Sequence, residues 1–179
     1  MDEPRIPNQA PVHPLVKLAA IAVETFVREH RIIAPPRPLP PDQAGPGAAF
    51  VTLIKQGALR GSLGSVRPLG PSLAAEVIGH AVGAAARDPR FSPVAPAELP
   101  DLGYVVDLIE AIEPLAALDG HDPAACGLLV RAGRKAGVAL PQIAGIERAD
   151  EQLALALRKA AIDPAGPYRL ARLSVKRLL

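Results

Sequence analysis

Six prolines within twelve residues, Pro35, Pro36, Pro38, Pro40, Pro41 and Pro46, constrain this chain more than any other feature. Each removes a backbone donor that a helix interior or a central strand needs, so residues 34–48 are expected to be loop with polyproline II character. Such a segment can serve as a ligand for a proline-recognising domain. The reading adopted is the plainer one, a stiff connection wrapping the surface.

Before that loop lies a helical pattern from Pro14 to about Ile33. Leu15, Leu18, Ala22, Thr25 and Phe26 fall on one side, with Lys17, Glu24, Arg28 and Arg31 on the other. Pro14 suits the first turn, where its missing donor does no harm. The pattern is that of a helix packed over a sheet.

After the loop, Phe50–Ile54 and Leu59–Ser65 predict a hairpin turning at Lys55-Gln56-Gly57. Alternation along a strand puts Leu59, Gly61 and Leu63 on one face, and Arg60, Ser62 and Gly64 on the other. Same-face Cβ atoms two residues apart lie about 6.5–7 Å apart, so Arg60 and Ser62 can serve one ligand. Backbone amides at Gly61 and Gly64, a hydroxyl and a guanidinium thus converge in seven residues. The segment is neither a P-loop, lacking Gly-x-x-x-x-Gly-Lys, nor a nucleophile elbow, which needs a residue between the first glycine and the serine.

A small-residue helix is expected over Ser72–Arg87, stopped by Asp88-Pro89. Glu76, His80, Gly83 and Arg87 form one stripe along it. His80 follows Glu76 by one turn, so a Ser62–His80–Glu76 arrangement is conceivable, although helical Glu–His pairs commonly lie on solvated faces. Further along come a short turn at Pro96–Leu99 and a strand over Leu102–Ile112, with Pro114 beyond it. A second hairpin joins Gly127–Arg131 to Gly137–Leu140, a helix N-capped by Asp150 runs to about Ala161, and Tyr168–Leu179 is a half-buried strand. Strands in hairpins without regular strand–helix alternation favour an α+β fold over a doubly wound one. Its sheet is expected to be mixed and largely antiparallel, flanked by helices, with a small subdomain. Aromatics are 3% of the chain and Trp is absent, so the core must be Ala, Leu, Val and Ile.

Composition also excludes function classes. A net charge of +2 makes no strong case for nucleic acid or an anionic membrane. The late basic residues Arg131, Arg134, Lys135, Arg169, Arg172, Lys176 and Arg177 lack interleaved aromatics and read as solvated strand edges. One cysteine, Cys126, excludes a disulfide framework or a multi-cysteine zinc site. His121-Asp122 with Cys126 has no second ligand cluster; Asp122 reads as a helix N-cap and Cys126 as a small buried residue. No metal and no cofactor is assigned. No apolar run nears the roughly 20 residues of a bilayer span, and Met1-Asp2-Glu3-Pro4 is not a signal start, so the expected location is the cytoplasm.

Four motifs stand in order along the chain: Leu59-Arg60-Gly61-Ser62-Leu63-Gly64, Asp88-Pro89-Arg90-Phe91, Glu98-Leu99-Pro100-Asp101 and Gly137-Val138-Ala139-Leu140-Pro141-Gln142. In sequence and spacing they resemble the AMMECR domain family, also called AmmeMemoRadiSam system protein A. The resemblance covers nearly the whole chain and implies a single AMMECR-type domain over residues 1–179. It implies an α+β fold and, as partners, a Memo-like protein related to extradiol dioxygenases and a radical SAM protein. The family usually carries cysteine where Ser62 stands, and serine is far less acidic and needs an adjacent base. Lys159-Ala160-Ala161 likewise replaces a usual Lys-Ala-Gly. The candidate site is therefore Ser62 and His80 for catalysis, with Arg60, Gly61, Gly64 and Arg90 holding a small molecule or anion. The expected role is a small-molecule-binding or catalytic component. The alternatives are a non-catalytic protein-interaction module and, less favoured, an RNA-binding protein.

Overall fold

Proline and histidine set the limits of the first helix. In the computed structural model, which describes residues 12–179, α1 (Pro14–Glu29) starts with Pro14 in its first turn and His13 Nδ1 accepting the Leu15 amide at 3.2 Å. It ends at His30, which takes a left-handed conformation at φ 51°, so the helix stops short of the expected Ile33. The acidic start, Met1 to Pro4, lies outside the described residues.

Within the proline-rich segment a single helical turn, α2 (Pro41–Ala44), corrects the expectation of loop throughout. Pro41 sits at its first position, where no donor is lost. The hairpin follows as β1 (Ala48–Lys55) and β2 (Ala58–Gly64), with Gln56 and Gly57 at positive φ in the turn. Leu53 pairs with Gly61 and Ile54 with Leu59, leaving Arg60 as the extra residue of a β-bulge. The expected alternation therefore breaks at Arg60.

Ser72 Oγ accepts the Ala75 amide at 3.2 Å and opens α3 (Leu73–Ala86). The Glu76–His80 stripe is buried rather than solvated, at 4% and 7% exposure. A 3-10 turn (Pro96–Asp101) leads into β3 (Leu102–Leu115), which continues through Pro114 because a proline near a strand end costs only its own donor. Then come β4 (Gly127–Ala132), β5 (Lys135–Ala139), α4 (Ala149–Lys159) and β6 (Arg169–Leu178). Asp150 is not the cap of α4: Arg148 holds that position, and Glu151 Oε2 accepts the Glu147 and Arg148 amides at 3.0 Å each. The sheet order is β2-β1-β3-β6-β4-β5, and the β1–β2, β4–β5 and β4–β6 pairings are antiparallel, giving an α+β fold.

The chain packs as two units. The first ends at Val106 and includes Leu178 and Leu179; the second is Asp107–Arg177. In the first, Leu15, Ala19 and Val23 of α1, Val51 and Leu53 of β1, and Ala74, Val77 and Ala81 of α3 are buried. Full burial of each Leu or Val contributes about 1.5–3 kcal/mol. Close approach depends on Gly61, where a Cβ would lie 2.2 Å from the Ala84 carbonyl oxygen. The second unit uses the same device. Leu128, Val130 and Ala139 pack against Ala156 and Leu157 of α4, and a Cβ at Gly137 would lie 2.0 Å from the Ala156 carbonyl oxygen. There, too, Arg177 donates to both oxygens of fully buried Asp107, at 2.8 and 3.0 Å.

Candidate functional site

Two carboxylates organise the surface around Ser62. The bulge at Arg60 sends its guanidinium to Glu98, with Nε to Oε2 at 2.9 Å and Nη2 to Oε1 at 2.7 Å. Its Nη1 donates to the Ser92 carbonyl at 3.0 Å. Glu98 also accepts Lys55 Nζ at 2.9 Å and the Ala95 amide at 3.0 Å. The hydrogen bonds from Arg60, the Ala95 amide and Lys55 hold this carboxyl well below the usual range against the opposing effect of burial. Arg60's pKa is correspondingly raised, chiefly by its bond to Glu98.

Asp88, just past α3, is the second organiser. Its Oδ2 accepts the Ser62 amide at 2.8 Å and Arg90 Nη2 at 2.6 Å, and its Oδ1 accepts Arg90 Nε at 2.9 Å and the Arg90 amide at 3.1 Å. Burial pushes this carboxyl up, but the hydrogen bonds from Arg90 and Ser62 outweigh it and leave its pKa at about 2. Phe91 contacts both arginines, its ring centroid 5.9 Å from Arg60 Cζ and 5.5 Å from Arg90 Cζ. Phe91 is half-buried and serves as a contact surface for the guanidinium groups.

The structure thus brings Arg60, Ser62 and Arg90 into one cluster. His80 is elsewhere. Gly61 lies under α3, so alternation turns the Ser62 side chain to the opposite face of the sheet, where its hydroxyl shares a 3.0 Å hydrogen bond with Thr52. His80 Nε2 bonds Glu76 Oε1 at 2.8 Å, while Glu76 Oε2 accepts the Leu69 and Gly70 amides at 3.0 and 2.8 Å. This pair ties α3 to the loop before it, and the Ser62–His80 contact of a triad is not formed. Gly61 and Gly64 serve packing: a Cβ at Gly64 would lie 2.2 Å from the Phe50 ring.

Two expectations elsewhere are revised. Asp122 caps a turn through the Ala124 amide at 2.8 Å and starts no helix, and Cys126 is half-buried. Gln152, fully buried, donates to the Cys126 and Leu140 carbonyls at 3.1 Å each, which fixes its amide so that Oε1 accepts from His121 Nε2 at 2.6 Å. Among the described residues no group of three or more His, Cys, Asp or Glu could hold a metal ion, and no helix is long and apolar enough to cross a membrane. Of the late basic residues, Arg172 and Arg177 are engaged with Glu113 and Asp107.

Thr52, Lys55 and Glu98 were missed by sequence reasoning as members of the site. Glu98 stands 38 positions from Arg60 in the chain, within Glu98-Leu99-Pro100-Asp101, and nothing in the sequence ties that motif to Arg60.

The AMMECR1 family model matches residues 16–178. The chain belongs to the AMMECR1 family. A Thermotoga maritima protein is 41% identical over 155 residues, covering 84% of this chain and 87% of that one. A Thermococcus gammatolerans protein is 37% identical over 162 residues, covering 84% and 78%. A Clostridium acetobutylicum protein is 39% identical over 128 residues, 72% of this chain but only 27% of its own length. The crystal structure of the uncharacterized protein PH0010 from Pyrococcus horikoshii superposes with a TM-score of 0.83 at 28% identity, covering 91% of this chain and 88% of that one. Within this AMMECR1-family chain, the motif glycines Gly61 and Gly137 stand where a strand meets a helix carbonyl, and the motif residues Arg60, Asp88, Arg90 and Glu98 form the cluster around Ser62.

Proposed function

We propose that this chain is a binding component that holds a small anion over the Arg60–Phe91–Arg90 face. The observation that supports it is charge: three cations, Lys55, Arg60 and Arg90, face two carboxylates, Glu98 and Asp88. One positive charge is left over. It belongs to Lys55 and Arg60, which share Glu98; Arg90, matched by Asp88, is the outward-facing donor, its side chain 44% exposed and no hydrogen bond from its Nη1 among the described residues. Phe91, half-buried beside both guanidiniums, offers apolar surface for the body of the ligand. Covalent chemistry at Ser62 gains no support, because its hydroxyl partner is Thr52 and not a base. In this reading the protein works in the cytoplasm beside Memo-like and radical SAM partners, the context its family resemblance implies.

A second reading, a non-catalytic protein-interaction module, is favoured by one feature. Arg60 is only 12% exposed, and three of its nitrogens are already hydrogen-bonded. Titration of 15N-labelled protein with inorganic phosphate at constant ionic strength separates the two. Saturable amide shifts confined to residues 60–62 and 88–92, lost in Arg90→Gln, are expected for the anion site. Their absence, together with retention of a Memo-like partner by Arg90→Gln, would leave the interaction module.

A further inference from the structure

The second unit contains a groove of about 710 Å³ that nothing above uses. Its walls come from the end of β3, from β4 and from the start of β6. The volume falls within the roughly 300–1,000 Å³ of small-molecule sites. On β4 and β6, Leu129 pairs with Ala171 and Arg131 with Arg169, so all four share one face of the ladder. The groove is therefore apolar at one end and doubly cationic at the other.

That arginine pair is the unusual part. Residues directly opposite on antiparallel strands have Cβ atoms about 4.5–5.5 Å apart, and like charges so placed repel. The other two arginines of β6 are neutralised, Arg172 by Glu113 at 2.9 Å and Arg177 by Asp107 at 2.8 Å. Among the described residues Arg131 and Arg169 have no carboxylate partner and no side-chain hydrogen bond. Ile112, a large apolar side chain 39% exposed, lines the same groove. Two unneutralised guanidiniums beside an apolar wall match an amphipathic anion: the head supplies the missing charge, and the body covers Leu115 and Ile112.

We propose that this groove binds an organic anion with one carboxylate or phosphate head, held between Arg131 and Arg169, and an apolar body lying along Leu115 and Ile112. RNA is the poorer occupant, because Tyr168 is the one aromatic side chain lining the groove and stacking would need more. The site is independent of the Arg90 cluster.

The test uses octanoate as probe, with octanol, inorganic phosphate and a short single-stranded RNA as comparisons, read by amide shifts and calorimetry on the full chain. Octanoate is expected to give saturable shifts at residues 112–116, 129–131 and 168–171. Octanol should bind at least about tenfold more weakly, and Arg131→Gln or Arg169→Gln should each weaken octanoate about tenfold, the loss of one charge-assisted contact. Each variant should unfold at the same or higher denaturant, since cross-strand repulsion is relieved. Arg90→Gln should leave the octanoate shifts at residues 112–116, 129–131 and 168–171 unchanged, so failure of the Arg90 site and failure of this one are told apart. Equal affinity for octanol and octanoate, shifts from RNA but not octanoate, or no saturable shifts in these segments would overturn the proposal.

Discussion

Ser62 and Arg90 share one carboxylate oxygen: Asp88 Oδ2 accepts the Ser62 amide at 2.8 Å and Arg90 Nη2 at 2.6 Å. A side chain just past α3 thereby fixes both a strand amide and the cation beside it. Asp88 itself is 4% exposed, so its charge is stable only because those donors surround it. Asp88→Asn should lower the free energy of unfolding by about 2–3 kcal/mol, read from urea denaturation midpoints at neutral pH. A loss below about 0.5 kcal/mol would mean that the cluster does not hold α3 to β2.

Acid should loosen the same cluster in a defined window. The Asp88 pKa falls from 3.8 to about 2 on folding, and that of Glu98 is also lowered. A group depressed in the folded state stabilises it above the unfolded pKa and loses that contribution as pH falls through the folded pKa. Asp88 should therefore contribute roughly 2 kcal/mol above about pH 4, lost between about pH 4 and pH 2. Denaturation midpoints across that window should fall in the parent protein, and fall less in Asp88→Asn.

Glycines on this scaffold should respond in opposite directions. Gly61→Ala forces a Cβ to 2.2 Å from the Ala84 carbonyl oxygen, and Gly137→Ala to 2.0 Å from that of Ala156. Each should cost about 2–3 kcal/mol or more, because backbone must move. Gly79, within α3, has nothing within 4 Å of its Cβ position. Gly79→Ala should stabilise by about 0.5–1 kcal/mol through helix propensity. Thermal unfolding of the three variants reads both signs.

Gln152 should prove the most sensitive uncharged position. Gln152→Leu leaves the Cys126 and Leu140 carbonyls and His121 Nε2 without their partner, in a place where Gln152 is fully buried. A loss of about 2–4 kcal/mol is expected. Amide exchange of residues 121–126 should accelerate more than that of β4.

The sequence carried the architecture where periodicity and punctuation agree. Ser72 before a small-residue run gave α3, and Gly57 between apolar runs gave the first hairpin. The bulge at Arg60 was not legible, since one inserted residue leaves the period-2 pattern readable on either side of it. Nor was the burial of Glu76 and His80, because the amides that Glu76 accepts, those of Leu69 and Gly70, lie outside the helix that carries the pattern. The motifs marked Arg60, Ser62 and Arg90 as one candidate site. Only the fold shows that Glu98 and Asp88 fill most of what the arginines offer, and that His80 stands on the other side of the sheet from the Ser62 hydroxyl.

The central claim is that Arg90 faces an anion while Asp88 restrains it. Phosphate affinity of Asp88→Asn, followed by amide shifts at residues 60–62 and 88–92, tests this most directly. Removing one negative charge about 5 Å from the bound anion is worth about 1 kcal/mol in a watery setting. Phosphate should therefore bind roughly fivefold more tightly to a variant that is less stable. Unchanged or weaker binding in Asp88→Asn would contradict the account and leave the cluster a purely structural knot.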